Sequence, residues 1–383
     1  MPPTYVASIG DAENPLTWSG IPYHLTEAGK KAGLVSAGLP MAVDGWPQRA
    51  GRVAWNLWQA ATGDRRGGYQ YSRGFLEALW RGQRQRVKGA RVVNCFPLYA
   101  PSVVADPAIE KWFFIDLTLT QLFDYYLVRS SVGRRIAADA VQREREGYQE
   151  GRGVVVMSQF AASDVQQRYG IPAQRIHVVV PGANLEPAAY ARWEQQREQS
   201  GGMSAAAPDC LRLVMVSTDW RRKGLDRLLR AIALGRREGL RVSLRVIGNA
   251  RQDLPAELTE QEGIEWLGRI SKRTDAARFL EAVADADLGC ILSRYEAGGS
   301  VLREYHALGL GAFATTAGGM PDFMFPEASA AVPAEATDEE LAACLVALGR
   351  DRSRVEALRA AAWRRRHDAL WGASVSRLAE VMG

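Results

Sequence analysis

The segment from Leu288 to Asp322, LGCILSRYEAGGSVLREYHALGLGAFATTAGGMPD, constrains the fold most because it reads without interruption as strand, loop, helix, strand and loop. The run Leu288-Gly-Cys-Ile-Leu292 is short and does not alternate, the pattern of a strand buried on both faces of a parallel sheet. It opens into a loop carrying Glu296 and Gly298-Gly299. Ser300 is placed to cap a helix whose Val301, Tyr305 and Leu308 form one apolar stripe, and Gly309 is placed to end it. Backbone N–H groups at that helix start, beside glycines that admit close approach, make an anion site. Glu296 lies before it and Glu304 just inside it, so one carboxylate reaches each side of a bound phosphate. The second strand, Ala312 to Thr316, delivers another close-approach loop, Gly318-Gly319-Met320-Pro321. Both loops leave the same sheet edge, where open α/β sheets bind ligands.

The rest of the chain repeats this alternation. Strands are expected at Tyr5–Ile9, Ala90–Phe96, Trp112–Thr118, Val154–Ser158 and, after a turn, within Tyr169–Gly182, then at Leu211–Val216, Leu240–Ile247 and Ile264–Leu267. Helices are expected at Ile21–Ala32, Arg52–Ala60, Tyr69–Trp80, Gly133–Gly153, Leu225–Leu234 and Thr274–Ala284. A chain of 383 residues exceeds one ordinary core, so the fold class is α/β with two Rossmann-like, doubly wound domains. The first is expected over residues 1–185 and the second over 210–365. A polar, Gln- and Ser-rich connection spans 186–209, and a last helix over 366–383 returns to the first domain. The loop Thr62-Gly-Asp-Arg-Arg-Gly-Gly68 is not a phosphate loop, since no G-K-[ST] ends it.

Glu296 and Glu304, separated by seven residues and followed by a helix and a GG-x-P loop, resemble the E-x7-E signature of retaining glycosyltransferases of the GT-B fold, family 4 (glycosyltransferases group 1). The usual signature has a proline and a bulky residue after the first Glu, where this chain has Ala297-Gly298. The resemblance covers nearly all of the second domain and the first more loosely. It implies two domains facing each other across a cleft, and transfer of a sugar from a nucleoside diphosphate sugar to an acceptor hydroxyl with retention and without a metal. Glu304 would bind the donor ribose, Glu296 the transferred sugar, and Gly298, Gly299, Ser300 and Val301 at the helix start the diphosphate. Gly268, Arg269 and Ile270 would meet the base, with Gly318 and Gly319 closing the donor side. Lys223-Gly224 matches the family's lysine-glycine pair; its arginine partner is open between Arg221 and Arg222, because Thr218 stands where that arginine usually lies. Preorganised cations there would stabilise the charge that develops on a leaving phosphate. In the first domain, Ser19, Gly20 and His24 resemble the loop between donor and acceptor. Asp116, at the end of an apolar run, is read either as functional or as a helix cap. The acceptor is a glycan, a lipid-linked molecule or a small molecule. A nucleotide-sugar epimerase of the same fold and a non-catalytic sugar-nucleotide binding protein are the alternatives.

Composition bears on the setting. The formal net charge of +5 and pI near 9.1 come from cations that are nearly all arginine, which fits phosphate or an anionic surface and equally fits a solvated exterior. The basic stretch Arg81–Arg91 invites the same pair of readings, a peripheral contact with anionic lipid or plain solvation. Cys95, Cys210, Cys290 and Cys344 are scattered without a C-x-x-C pair, the pattern of reduced, buried thiols in a cytoplasmic protein. No signal peptide and no spanning helix are read. Asp285-Ala-Asp287 imitates a D-x-D metal motif but sits at a helix end, where capping or loop chemistry is the better reading. No metal-ligand spacing, nucleophile elbow or dinucleotide fingerprint occurs, so no cofactor and no nucleic-acid partner are expected.

Overall fold

The computed structural model describes residues 2–41, 45–62, 67–126, 132–202 and 209–383. The chain forms two units, Met1–Val180 with Ser374–Gly383, and Pro181–Ala373. In the first, β1 (Thr4–Ala7), β2 (Ala37–Gly38), β3 (Arg91–Asn94), β4 (Glu110–Ile115), β5 (Gly153–Val156) and β6 (Ile176–Val178) form one parallel sheet in the order β2-β1-β3-β4-β5-β6. In the second, β7 (Leu211–Val216), β8 (Val242–Ile247), β9 (Ile264–Gly268), β10 (Leu288–Ile291), β11 (Gly311–Thr315) and β12 (Ser329–Val332) are likewise parallel, in the order β12-β11-β10-β7-β8-β9. Each unit is therefore a doubly wound α/β sheet, and each order reverses beside its first strand, between β1 and β3 and between β7 and β10. Ligands bind outside the carboxyl ends of strands at such a switch point.

The central strands are largely apolar because helices cover both faces; Phe113, Phe114, Val154 to Val156 and Leu288 to Ile291 are buried. In the first unit the turn after β1 runs through three successive left-handed residues, Trp18 (φ 41°), Ser19 (φ 57°) and Gly20 (φ 83°), before the helix Ile21–Lys31. Left-handed backbone at Trp18 and Ser19 is strained, and such strain collects where a loop has work to do. After β4, Thr118 and not Asp116 caps the helix Leu119–Asp124, through a capping box with Gln121. The backbone N–H of Leu119 donates to the buried carboxylate of Glu144, which also accepts from the hydroxyls of Tyr148 and Tyr169. The cap alternative for Asp116 falls, because a closer hydroxyl and a carboxylate from the helix Arg134–Glu150 already satisfy that helix start.

Four points depart from expectation. Residues 187–199 of the polar connection form a helix, Pro187–Gln199, in which Glu186 caps the first turn at Ala188 and Ala189. Its Tyr190 and Trp193 are buried, and the Tyr190 hydroxyl donates to the Ala307 carbonyl at 3.0 Å. Those two aromatics outweigh the polar composition around them; residues 203–208 of the connection, like 63–66 of the Thr62–Gly68 turn, lie outside the described residues. The helix expected over Arg52–Ala60 begins at Trp46, with Pro47 in its first turn, where proline is tolerated. Short strands β2 and β12 were not anticipated, being two and four residues long. Among the thiols, Cys95 and Cys290 are buried as expected, whereas Cys210 and Cys344 are half-exposed.

In the second unit the sheet is pinned by Tyr305, whose fully buried ring lies flat over Gly289 of β10. A Cβ on Gly289 would fall 2.2 Å from that ring. The Tyr305 hydroxyl accepts from the Val216 N–H at 2.9 Å, so the ring ties the ends of β7 and β10 to one helix. Gly289→Ala is therefore expected to destabilise this unit by about 1–3 kcal/mol through overpacking, read as a lower midpoint in denaturant unfolding; an unchanged midpoint would show that the ring can move aside.

Candidate active site

The carboxyl edge of β7 and β10 gathers a cluster of charged side chains from two loops. The loop after β7, residues 217–224, folds back so that the Arg222 and Lys223 carbonyls accept from the backbone N–H groups of Arg294 (2.9 Å) and Leu292 (3.1 Å). Gly224 makes this approach feasible: its φ is +77°, and a Cβ there would lie 2.0 Å from the Leu292 carbonyl oxygen. With the two loops zipped together, the Arg222 guanidinium donates to Glu296 Oε2 at 2.8 Å and the Lys223 ammonium donates to the same oxygen. Ser293 Oγ donates to it at 3.3 Å, and Asp219 holds Arg222 from the other side at 3.1 Å. Burial lowers the Lys223 pKa below the ordinary lysine value, and Glu296 opposes that shift. Arg222 and not Arg221 is thus the arginine that shares a carboxylate with Lys223. Arg221 is exposed and lines a cavity of about 440 Å³ with Trp220, Asp226, Arg230, Leu258 and Arg294.

Glu304 is buried inside the helix Ser300–Ala307, and both its oxygens accept from the Lys272 ammonium at 2.6 Å. Lys272 follows β9 in the same edge loop as Gly268, Arg269 and Ile270, and its ammonium lies 5.2 Å from the Phe279 ring centroid. Sequence reasoning passed over this lysine. The signal was present in Arg269-Ile-Ser-Lys-Arg273, a cluster of cations after a strand on the same edge as Lys223. The two glutamates therefore take separate cations, Glu296 from β7 and Glu304 from the β9 loop.

The helix start differs in detail from expectation. Gly299 is the cap residue, Ser300 is the first residue of the helix, and no side-chain hydrogen bond caps it. The helix has no solvent face: Val301 to Ala307 are all buried, including Arg303 and His306. Its far end closes as expected, with Gly309 at φ +70° donating to the His306 carbonyl and Leu310 to that of Tyr305. Gly298 and Gly299 are also needed for packing, since a Cβ would meet the Phe323 ring at 2.3 Å and Leu302 at 2.6 Å. Gly318 is left-handed (φ +52°), and the Gly319 N–H donates to the Glu296 carbonyl at 3.2 Å, so the second glycine loop is fastened to the first.

The first-unit candidates share their own edge. Gly20 caps its helix and is buried, Ser19 is exposed, and His24 is half-buried, edge-on to Tyr23 at 5.2 Å. Asp116 is half-buried just beyond β4.

Asp287 is fully buried with Arg212 and Arg352 at 2.8 Å and Arg359 at 3.7 Å, and it also accepts from the Arg212 N–H. Three guanidinium groups engage both oxygens, which holds the carboxyl below its usual range against the effect of burial. Asp285 is exposed and faces Arg197 and Arg245. The D-x-D sequence is thus an arginine clasp at the far edge of the sheet, and among the described residues no group of three His, Cys, Asp or Glu could hold a metal ion. Asp287→Asn should leave three arginines without their common counter-charge and destabilise the unit by about 3 kcal/mol or more. The check is thermal unfolding with and without Mn²⁺; a variant of parental stability that gained or lost metal dependence would return Asp287 to metal chemistry.

Residues 204–365 match the family model for glycosyl transferases group 1. The chain is 30% identical over 230 residues to the D-inositol 3-phosphate glycosyltransferase of Thermobispora bispora, covering 57% of this chain and 53% of that relative, so it spans about half the relative's length. Among solved structures, sucrose-phosphate synthase from Thermosynechococcus elongatus superposes with a TM-score of 0.65 at 15% identity over 100% of this chain and 98% of the other. HepE of Anabaena, determined with UDP, gives 0.64 at 16% identity over 100% and 99%. WaaG, a glycosyltransferase involved in lipopolysaccharide biosynthesis, gives 0.59 at 15% identity over 99% of each chain. At these identities the likeness is one of fold, and the fold is GT-B.

Proposed function

We propose that this chain is a retaining, metal-independent glycosyltransferase that moves a sugar from a nucleoside diphosphate sugar to the hydroxyl of a carbohydrate or lipid-linked acceptor. The observation that carries the reading is the Glu296 carboxylate held by Arg222 and Lys223 at the switch point of the second unit. The match of residues 204–365 to glycosyl transferases group 1 supports the reaction class. The UDP and UDP-glucose complexes of the Anabaena protein support a nucleotide-sugar donor. The four free, scattered cysteines support a cytoplasmic setting.

In this reading the diphosphate draws Arg222 and Lys223 toward itself while Glu296, already aimed by Ser293, turns to the sugar hydroxyls. The bond from the anomeric carbon to the phosphate oxygen breaks with its electron pair going to phosphate. The acceptor oxygen bonds to the same face of the anomeric carbon, and its proton passes to the departing phosphate oxygen. Two preorganised cations beside that oxygen supply the stabilisation that a metal supplies elsewhere. Glu304, oriented by Lys272, receives the ribose hydroxyls; Gly298 to Val301, Gly318 and Gly319 line the donor, and Gly268 to Ile270 meet the base. Ser19, Gly20, His24 and Asp116 serve the acceptor.

Calorimetric titration with UDP-, GDP- and ADP-sugars should give binding for one base class. Glu304→Gln should weaken that binding about tenfold, as expected for a charge-assisted hydrogen bond worth roughly 1.5–3 kcal/mol. Equal affinity would remove Glu304 from the donor site.

Transfer followed by NMR should show the anomeric configuration of the donor kept in the product, at a rate that EDTA leaves unchanged. An inverted product, or a rate lost to EDTA and restored by Mn²⁺ or Mg²⁺, would overturn the mechanism.

A further inference from the structure

The helix Trp46–Ala61 is packed the wrong way round for a helix of a water-soluble surface. A surface helix ordinarily turns its apolar stripe inward and its polar face outward. Here four large apolar side chains point to solvent, while Trp55 turns inward against Tyr69: Trp46 is 79% exposed, Leu57 67%, Val53 60% and Trp58 56%. Trp46, Val53 and Leu57 recur at seven- and four-residue spacing, with exposed Ala50 and Ala54 between them and exposed Ala61 one turn beyond, so they form one continuous strip. The helix is anchored by its opposite, narrower side. There Gly51 lies against the Tyr69 hydroxyl, Trp55 Nε1 donates to the Gly67 carbonyl at 2.8 Å, and Gln59 is buried. On the flank of the strip stand exposed Arg49 and Arg52, and the helix contains no Asp or Glu.

We infer that this face of the first unit docks on a lipid bilayer that carries anionic phospholipid, with the helix lying in the plane of the interface. Tryptophan and leucine on one side with arginine at the margin is the composition that seats a helix at the boundary between headgroups and acyl chains. The arginines find counter-charge in anionic headgroups and would find none on a second copy of the same helix. Size points the same way. A helix of 16 residues is about 24 Å long and about 10 Å wide. The strip therefore offers on the order of 240 Å², against about 800 Å² per partner in a stable protein interface. This inference does not rest on the proposed sugar transfer, since binding to a membrane is read without turnover.

The test is flotation of the full chain with vesicles of phosphatidylcholine, alone or mixed with phosphatidylglycerol, together with tryptophan fluorescence. The expected result is partition into the mixed vesicles with a blue shift, weakened by salt. The double change Leu57→Glu with Trp58→Glu should reduce partition tenfold or more. The pair Arg49→Gln with Arg52→Gln should reduce partition into the mixed vesicles about tenfold or more. Both variants alter exposed side chains, so circular dichroism and the thermal midpoint should match the parent. Failure to float, or parental partition by both variants, overturns the inference, and equal partition into neutral vesicles overturns the role of the arginines. Concentration-dependent dimerisation that the Leu57→Glu, Trp58→Glu pair abolishes, with no vesicle binding, would assign the face to a second copy and overturn it as well.

Discussion

One carboxylate oxygen holding two cations is the interaction on which the second unit's edge depends. Removing Arg222, Lys223 and Glu296 from bulk water is expensive, and their attraction offsets this only because the loops that carry them are already fixed. That fixing is backbone work, done by the Arg294 and Leu292 N–H groups on the carbonyls of Arg222 and Lys223, and it needs the left-handed Gly224. Glu296 in turn is fastened through its own carbonyl to Gly319, so three edge loops share one set of bonds. The result is a cationic pair held in place and only partly neutralised, which suits a site for a more highly charged anion.

Arginine does much of the internal electrostatic work elsewhere. Asp287 is enclosed by Arg212, Arg352 and Arg359, Asp226 takes a two-pronged bond from Arg294 at 2.8 and 2.9 Å, and Arg303 and Arg365 both lie over the Phe325 ring, with guanidinium carbons 4.8 and 4.1 Å from its centroid. Planar, weakly hydrated guanidinium groups tolerate such burial better than ammonium groups do. The basic composition therefore reflects internal clasps as well as outward charge, and net charge by itself is a poor guide to partners. The exposed strip of the helix Trp46–Ala61 is more informative, because its packing contradicts the usual direction of burial.

Much of this was legible in the sequence. Ten of the twelve strands were placed from apolar runs, since a parallel strand covered on both faces is largely apolar and its signal is local. The Glu296 loop, the helix after it and the second glycine loop were placed too, because glycine positions and helix ends are set by backbone sterics within a few residues. What the local pattern misjudged were segments whose fate depends on distant neighbours. The helix Pro187–Gln199 looks like linker until Tyr190 and Trp193 find a surface to cover. Ser300 looks like a cap until the backbone places Gly299 there. The helix Ser300–Ala307 looks amphipathic until its polar side chains are seen to be enclosed.

By itself, then, the sequence determined the α/β class, two doubly wound sheets and the edge on which the charged loops gather, because periodicity and turn chemistry act over short stretches of chain. Only the tertiary structure decided which charge meets which. Arg222 reaches Glu296 across 74 positions and Lys272 reaches Glu304 across 32, while Asp287 is claimed by arginines from either side of it in the chain. Pairings of that kind follow from strand order, which places the first strand beside the fourth of its sheet, and no spacing within a single loop encodes them.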